Sequence, residues 1–140
     1  MTREKWRELA EERLLATNAL LSAGNWASAY YLAGYAVECG LKSCVIDRVS
    51  REPELVFIRK MYSADCWTHE LAKLMELAGL ESTLRADINT NARLGANWLI
   101  VQGWNERSRY EMRAQADAES LYNAIADNVN GIMQWIRVRW

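Results

Sequence analysis

Residues 25–48 read NWASAYYLAGYAVECGLKSCVIDR. Ala27, Tyr30, Tyr31, Gly34, Val37, Gly40, Leu41, Cys44 and Val45 recur at helical spacing along this stretch, so it is expected to form one long helix. Asn25 stands where a residue would cap its start. Gly34 and Gly40 each cost about 1 kcal/mol of helix propensity relative to Ala. Close approach by the backbone of a neighbouring helix is the expected compensation. Glu38 and Lys42 interrupt the apolar run four residues apart, which puts them on one face in the favourable Glu-before-Lys order. An ion pair buried among apolar neighbours is costly unless it is fully used. The helix is therefore expected to be both the centre of the fold and the wall of any site.

The rest of the chain reads as helices packed around it. Thr2 is placed to cap a helix over 3–23, with Trp6, Leu9, Ala10, Leu14, Thr17, Leu20 and Leu21 on one face and Gly24 as the stop. Pro53 marks a short helix through Leu55, Val56, Ile58 and Met61, followed by the loop YSADCW. Thr68 is placed to cap HELAKLMELAG, and Gly79 ends it. A further helix is expected over 81–102, broken by Gly103. GWNERSRYEMRAQ has charges and aromatics but no apolar stripe, so it reads as a loop. Asp117 is expected to cap a last helix through Leu121, Ile125, Val129, Ile132 and Ile136, fraying at WIRVRW. The whole reads as an all-α, up-and-down antiparallel bundle of four long helices with one or two short ones, in a single domain over 1–140.

Composition narrows the functional classes. The chain has 140 residues, 51% hydrophobic and 25% charged, with a formal net charge of −1. A strongly basic nucleic-acid binder is thereby excluded, although a local basic patch is not. Three cysteines, an odd count, and an N-terminus without a signal-peptide pattern lead us to expect a reducing cytoplasm. The longest apolar stretch is too short and too polar to span a bilayer.

Four constellations carry possible chemistry. Lys42 would bind phosphate if it faces a cleft, with Glu38 holding it; the plainer reading is an intrahelical ion pair. His69, the only histidine, has the right chemistry for a general acid or base; the plainer reading is a structural ring bonded to a carboxylate such as Glu38. Trp104, Arg107, Arg109 and Tyr110 combine guanidinium donors with stacking surfaces, the chemistry of nucleotide or single-stranded RNA recognition. The plainer reading is that Arg109 and Tyr110 lock the loop to the bundle through Glu38 or helix carbonyls. Cys66, His69, Cys39 and Cys44 do not make a convincing zinc site, because Cys39 and Cys44 point to different sides of their helix. No metal and no cofactor are expected.

The order of these motifs resembles a known family. Ala36-Val37-Glu38 followed by Leu41-Lys42, then His69-x-Leu71, then Arg109-Tyr110 before a final helix, is similar to the HEPN domain (higher eukaryotes and prokaryotes nucleotide-binding domain) over nearly the whole chain. The resemblance implies a compact helical bundle and a homodimer. It also implies a place in toxin–antitoxin or defence systems, often beside a minimal nucleotidyltransferase. Many members are metal-independent ribonucleases that use an Arg followed four to six residues later by a His. Here His69 precedes Arg107, Arg109 and Arg113, and no such pair exists in the chain. The chain instead resembles the branch carrying Arg-Tyr, with Glu111 where a Pro often follows the Tyr.

Three functions follow as expectations. One is a nucleotide-, RNA- or partner-binding protein without ribonuclease activity, its surface made by Lys42, Trp104, Arg107, Arg109 and Tyr110 with Glu38 in support. The second is an atypical ribonuclease toxin in which His69 moves a proton and Arg107 or Arg109 stabilises the charge. The third is a structural or assembly protein whose interface uses the seven tryptophans and the apolar end at Trp135, Ile136 and Trp140.

Overall fold

The computed structural model describes residues 1–58, 62 and 68–140. Met61 and residues 63–67 of the YSADCW loop, Cys66 among them, lie outside the described residues. All regular structure among the described residues is helical: α1 (Arg3–Ser22), α2 (Trp26–Arg51), α3 (Leu55–Ile58), α4 (Leu71–Leu77), α5 (Glu81–Thr90), α6 (Ala92–Gln102), a 3-10 turn (Glu106–Tyr110), α7 (Gln115–Ala126) and α8 (Ile132–Arg137). Among these, no helix is long and apolar enough to cross a membrane.

α1 begins as its sequence dictates, with Thr2 Oγ1 accepting from the Lys5 N–H at 3.2 Å. Gly24, at φ +78°, turns the chain back. α1 and α2 then run antiparallel, because partners on one helix descend as those on the other rise. Arg3 pairs with Asp47, Trp6 lies under Lys42, Arg7 donates to Ser43 and Arg13 lies over Tyr35. α2 is the central helix, touching α1, α4, the 3-10 turn, α7 and α8. Its small residues Ala29, Ala33, Ala36, Cys39, Gly40 and Ser43 are fully buried, which is what lets neighbours close on it from several sides.

The glycines of α2 serve side chains rather than a neighbouring backbone. A Cβ on Gly34 would lie 2.2 Å from the indole of Trp104. One on Gly40 would meet Ile136 at 3.2 Å and Met133 at 3.6 Å, both from α8. The expected approach of a helix backbone is therefore corrected: each missing Cβ makes room for a large side chain.

Segmentation is finer than the periodicity implies. The expected helix over 81–102 breaks at Asn91, whose backbone is extended. Its Oδ1 accepts from the Leu94 N–H at 3.1 Å, capping α6, while its Nδ2 donates to Asn130 Oδ1 at 2.8 Å. The last helix likewise breaks after Ala126. Asp127 Oδ2 accepts from the N–H groups of Val129 and Asn130 at 3.2 and 2.7 Å, closing a turn in place of a helical rung. Asp117 lies in the first turn of α7 and is not its cap. Thr68 does not cap α4 either: it accepts from the Glu70 N–H at 3.1 Å, so His69 precedes the helix and is not in its first turn.

The chain end is tied down from two directions. Arg137 donates from Nε and Nη2 to both carboxylate oxygens of Glu11, at 2.7 and 2.8 Å, fixing α8 to α1. Trp135 Nε1 and Arg139 Nη2 both donate to Asp87 Oδ2, at 2.8 and 3.1 Å, fixing the same segment to α5. The last three residues close a turn, with Arg139 and Trp140 both donating their N–H to the Ile136 carbonyl at 2.8 and 3.0 Å.

Candidate functional site

The site begins with Glu38, which is only 1% exposed at the centre of α2. Its Oε1 accepts from Lys42 Nζ at 2.7 Å and lies 2.9 Å from His69 Nδ1. The i,i+4 pair foreseen from the spacing is thus present, and His69 meets the carboxylate its plainer reading assigned to it. The lysine ammonium also sits 5.0 Å from the centre of the Trp6 ring, a favourable place for a cation.

His69 extends the row outward. Its Nε2 is 3.2 Å from Glu106 Oε2, at the first residue of the 3-10 turn. Lys42, Glu38, His69 and Glu106 therefore form one connected line from the α1–α2 seam to the surface. Both ring nitrogens face carboxylate oxygens, so the doubly protonated ring donates to both, while a neutral ring donates to one. Glu106 was not singled out in the sequence reading, although it lies inside the stretch that was. Its partner comes from α4's approach and is 37 residues away, so no local pattern marks it.

The 3-10 turn is held by an anchor that the sequence reading placed elsewhere. Trp104 was expected to offer its ring to a ligand. It is instead 2% exposed, seated on Gly34 with its ring 6.0 Å from that of Tyr31. The reason is steric: Gly34 leaves a notch on the central helix that an indole fills, and burying a ring this large is strongly favoured. Ser108 is also buried. Asn105 Oδ1 accepts from the Arg107 N–H at 2.9 Å and opens the turn. Trp104, Ser108 and Arg113, whose guanidinium lies 4.1 Å over Tyr30, therefore pin this segment. Among the described residues, the Arg109 and Tyr110 side chains make no hydrogen bond or ion pair to Glu38 or to helix carbonyls, so the expected locking through them is absent there.

With those anchors inside, the remaining residues point out. Arg107, Arg109 and Tyr110 are all exposed, Tyr110 at 77%. Arg109 stacks over Tyr110 at 4.7 Å, and neither Arg107 nor Arg109 makes an ion pair through its guanidinium among the described residues. Arg113 differs, because it pairs with Glu111 at 2.6 Å. The turn thus presents two guanidinium groups without ion-pair partners among the described residues, one of them stacked on the phenol ring beside it.

The expected surface is divided in two. Lys42 opens on an apolar groove of about 650 Å³ shared with Trp6, Val45 and Val49. Arg109 instead borders a smaller cleft, of about 250 Å³, on the first turns of α2. Lys42 does not line that cleft, so it is separated from the Arg109 surface that it was expected to join. His69 contacts Glu106 and makes no bond to the guanidinium of Arg107 or Arg109 among the described residues.

Arg3 Nε, Glu38 Oε2, Trp104 Nε1, Ser108 Oγ and Arg113 Nε are buried without a hydrogen-bond partner among the described residues. The cysteines are different. Cys39 and Cys44 are buried, and burial pushes each thiol up to about 12, with Glu38 adding to the shift at Cys39 and Asp47 at Cys44. They are inert packing groups. Cys66 lies outside the described residues, and among the described ones no group of three or more His, Cys, Asp or Glu side chains is arranged to hold a metal ion.

No family description, curated protein or solved structure matches the chain.

Proposed function

We propose that this chain is a small cytoplasmic HEPN-like protein that binds single-stranded RNA, or a nucleotide with the same phosphate-and-base chemistry, through the exposed 3-10 turn. The observation that carries this reading is the pair of guanidinium groups without ion-pair partners among the described residues, Arg107 and Arg109, the latter stacked on the exposed Tyr110, on a turn fixed from beneath by Trp104. Guanidinium groups meet phosphates with paired donors, and aromatic rings stack on unpaired bases. A net charge of −1 gives the chain no general attraction for an anion, so such binding rests on local guanidinium groups. The order of Glu38, Lys42, His69, Arg109 and Tyr110 along the chain supports the family reading. That reading brings with it a homodimer, a cognate partner such as a minimal nucleotidyltransferase, and a toxin–antitoxin or defence setting.

The test is binding of a labelled single-stranded oligoribonucleotide and of a labelled nucleoside triphosphate at fixed salt. Arg109→Ala and Arg107→Ala are each expected to weaken binding. Across a salt series, each should also flatten the dependence of affinity on salt by about 0.7 of a logarithmic unit for every phosphate no longer engaged. Unchanged affinity for both ligands in the double variant removes the turn as the binding surface.

A second reading has its own support in the row Glu38–His69–Glu106. A buried carboxylate orients one ring nitrogen of His69, and the other faces a second carboxylate at 3.2 Å. Such an acid–base pair suits strand cleavage by a ribose 2′-hydroxyl, with one member taking the hydroxyl proton and the other giving a proton to the departing 5′-oxygen. RNA incubated in chelator with the wild-type chain and with His69→Ala decides it. Cleavage by the former alone is required, and equal or absent cleavage in both rejects it.

A further inference from the structure

The cleft beside Arg109 has features that the turn alone lacks. Ala27, Ser28, Tyr31 and Leu32 of α2 line it, with Arg109 at its side. Tyr31 is a fixed wall: its ring stacks on Tyr35 one turn along, centroids 6.1 Å apart and planes 5° from parallel, and lies against buried Trp104. Ala27 and Leu32 add apolar surface. The Ser28 hydroxyl makes no hydrogen bond among the described residues and is exposed, so it can turn to either a donor or an acceptor. A held aromatic ring, apolar flanks and one adaptable hydroxyl suit a flat heterocycle with a polar edge. A guanidinium without a carboxylate partner suits the phosphate that travels with it. The cleft, at about 250 Å³, has room for one base.

We propose that the cleft between Tyr31 and Arg109 receives one unpaired base of a single-stranded RNA, with Arg109 on the adjoining phosphate. The proposal rests on the turn being an RNA-binding surface and extends that surface onto α2, to three residues (Ser28, Tyr31 and Leu32) that the sequence reading left in the core or unassigned. Bases in a duplex are stacked and paired, so the cleft selects single strands by shape.

The experiment compares fluorescence anisotropy of a short labelled oligouridylate with that of an equally long strand carrying abasic sites. The wild-type chain should prefer the strand with bases. Tyr31→Ala should lower affinity for that strand about ten-fold and leave the abasic strand unaffected. Because Tyr31 touches Trp104, a second variant guards against misfolding: Ser28→Leu fills the cleft from an exposed position and should give the same selective loss with an unchanged melting temperature. Arg109→Ala should weaken both strands. If the wild-type chain binds the two strands equally, or Ser28→Leu keeps the wild-type preference, no base enters the cleft and the turn reading stands alone. If the wild-type chain binds neither strand, both readings fall together.

Discussion

At the scale of single residues, Glu38 carries the most consequence. Its carboxylate is buried and answers two groups, Lys42 and His69, through one oxygen. Removing one partner of a buried ion pair leaves the other desolvated and uncompensated, which typically costs about 3–5 kcal/mol. Lys42→Met is therefore expected to destabilise the chain by about 3 kcal/mol, because His69 keeps part of the charge satisfied. Adding Glu38→Leu to Lys42→Met should recover most of that loss, since an apolar pair of similar volume is often as stable as the ions it replaces. Urea denaturation of the single and double variants checks both statements. A double variant no more stable than Lys42→Met would mean that the carboxylate supports the bundle through more than its lysine. The Glu38–Lys42 contact was legible from four-residue spacing alone. Its continuation to Glu106 was not, because that step depends on where α4 and the 3-10 turn meet.

At the scale of elements, the apolar rhythm located every long helical segment and misjudged two breaks. Across Asn91 the helical phase set by Leu84 and Ile88 is resumed at Trp98 with only Asn91 and Gly95 in step between them, and that thin continuation is what reads as one helix. The break is made by one side chain that caps α6 and reaches across to Asn130. The second break did announce itself. Residues 127–131 read DNVNG, a cluster of turn formers, and the continuing apolar period outweighed them in the reading. Gly131 is what makes that turn possible: a Cβ there would lie 2.3 Å from the Asp127 carbonyl oxygen and 2.6 Å from that of Ile125. Both are backbone atoms that cannot step aside. Gly131→Ala is thus expected to cost about 2–3 kcal/mol, read as a lower urea midpoint with an unchanged slope. A cost under about 0.5 kcal/mol would show that the α7–α8 junction is pliable. The loop around Trp104 misled in the opposite sense. Its charges drew attention to the surface, and the one residue that decides its position is an indole matched to a glycine 70 positions earlier.

At the scale of the whole molecule, the buried acids set an alkaline limit. Burial is the main cause that raises Cys39 and Cys44 from an ordinary thiol value near 9 to about 12, and it raises the phenols of Tyr30 and Tyr35 as well. In each case the folded state holds its proton longer than the unfolded one. The resulting stability is complete below about pH 9 and is lost as pH rises towards 12, by about 1.4 kcal/mol per unit for each thiol within that window. Denaturant midpoints at pH 8, 10 and 11 should fall steeply, and Cys39→Ala with Cys44→Ala should flatten the decline even if it lowers the starting value. A midpoint that is level through pH 11 would contradict it. The same burial predicts that both thiols resist alkylation until the chain unfolds.

Gly34 and Trp104 have one more implication, and it concerns descent. Neither can drift alone. Any larger residue at 34 collides with the indole, and a smaller residue at 104 leaves a hole beneath the turn. A lineage that keeps this architecture while losing overall likeness must retain the two together or exchange them together. The pair is therefore expected to change together or not at all. A glycine in the middle of a long second helix, matched to a tryptophan just ahead of an Arg-Tyr turn, is the pairing to look for in any distant kin of this chain.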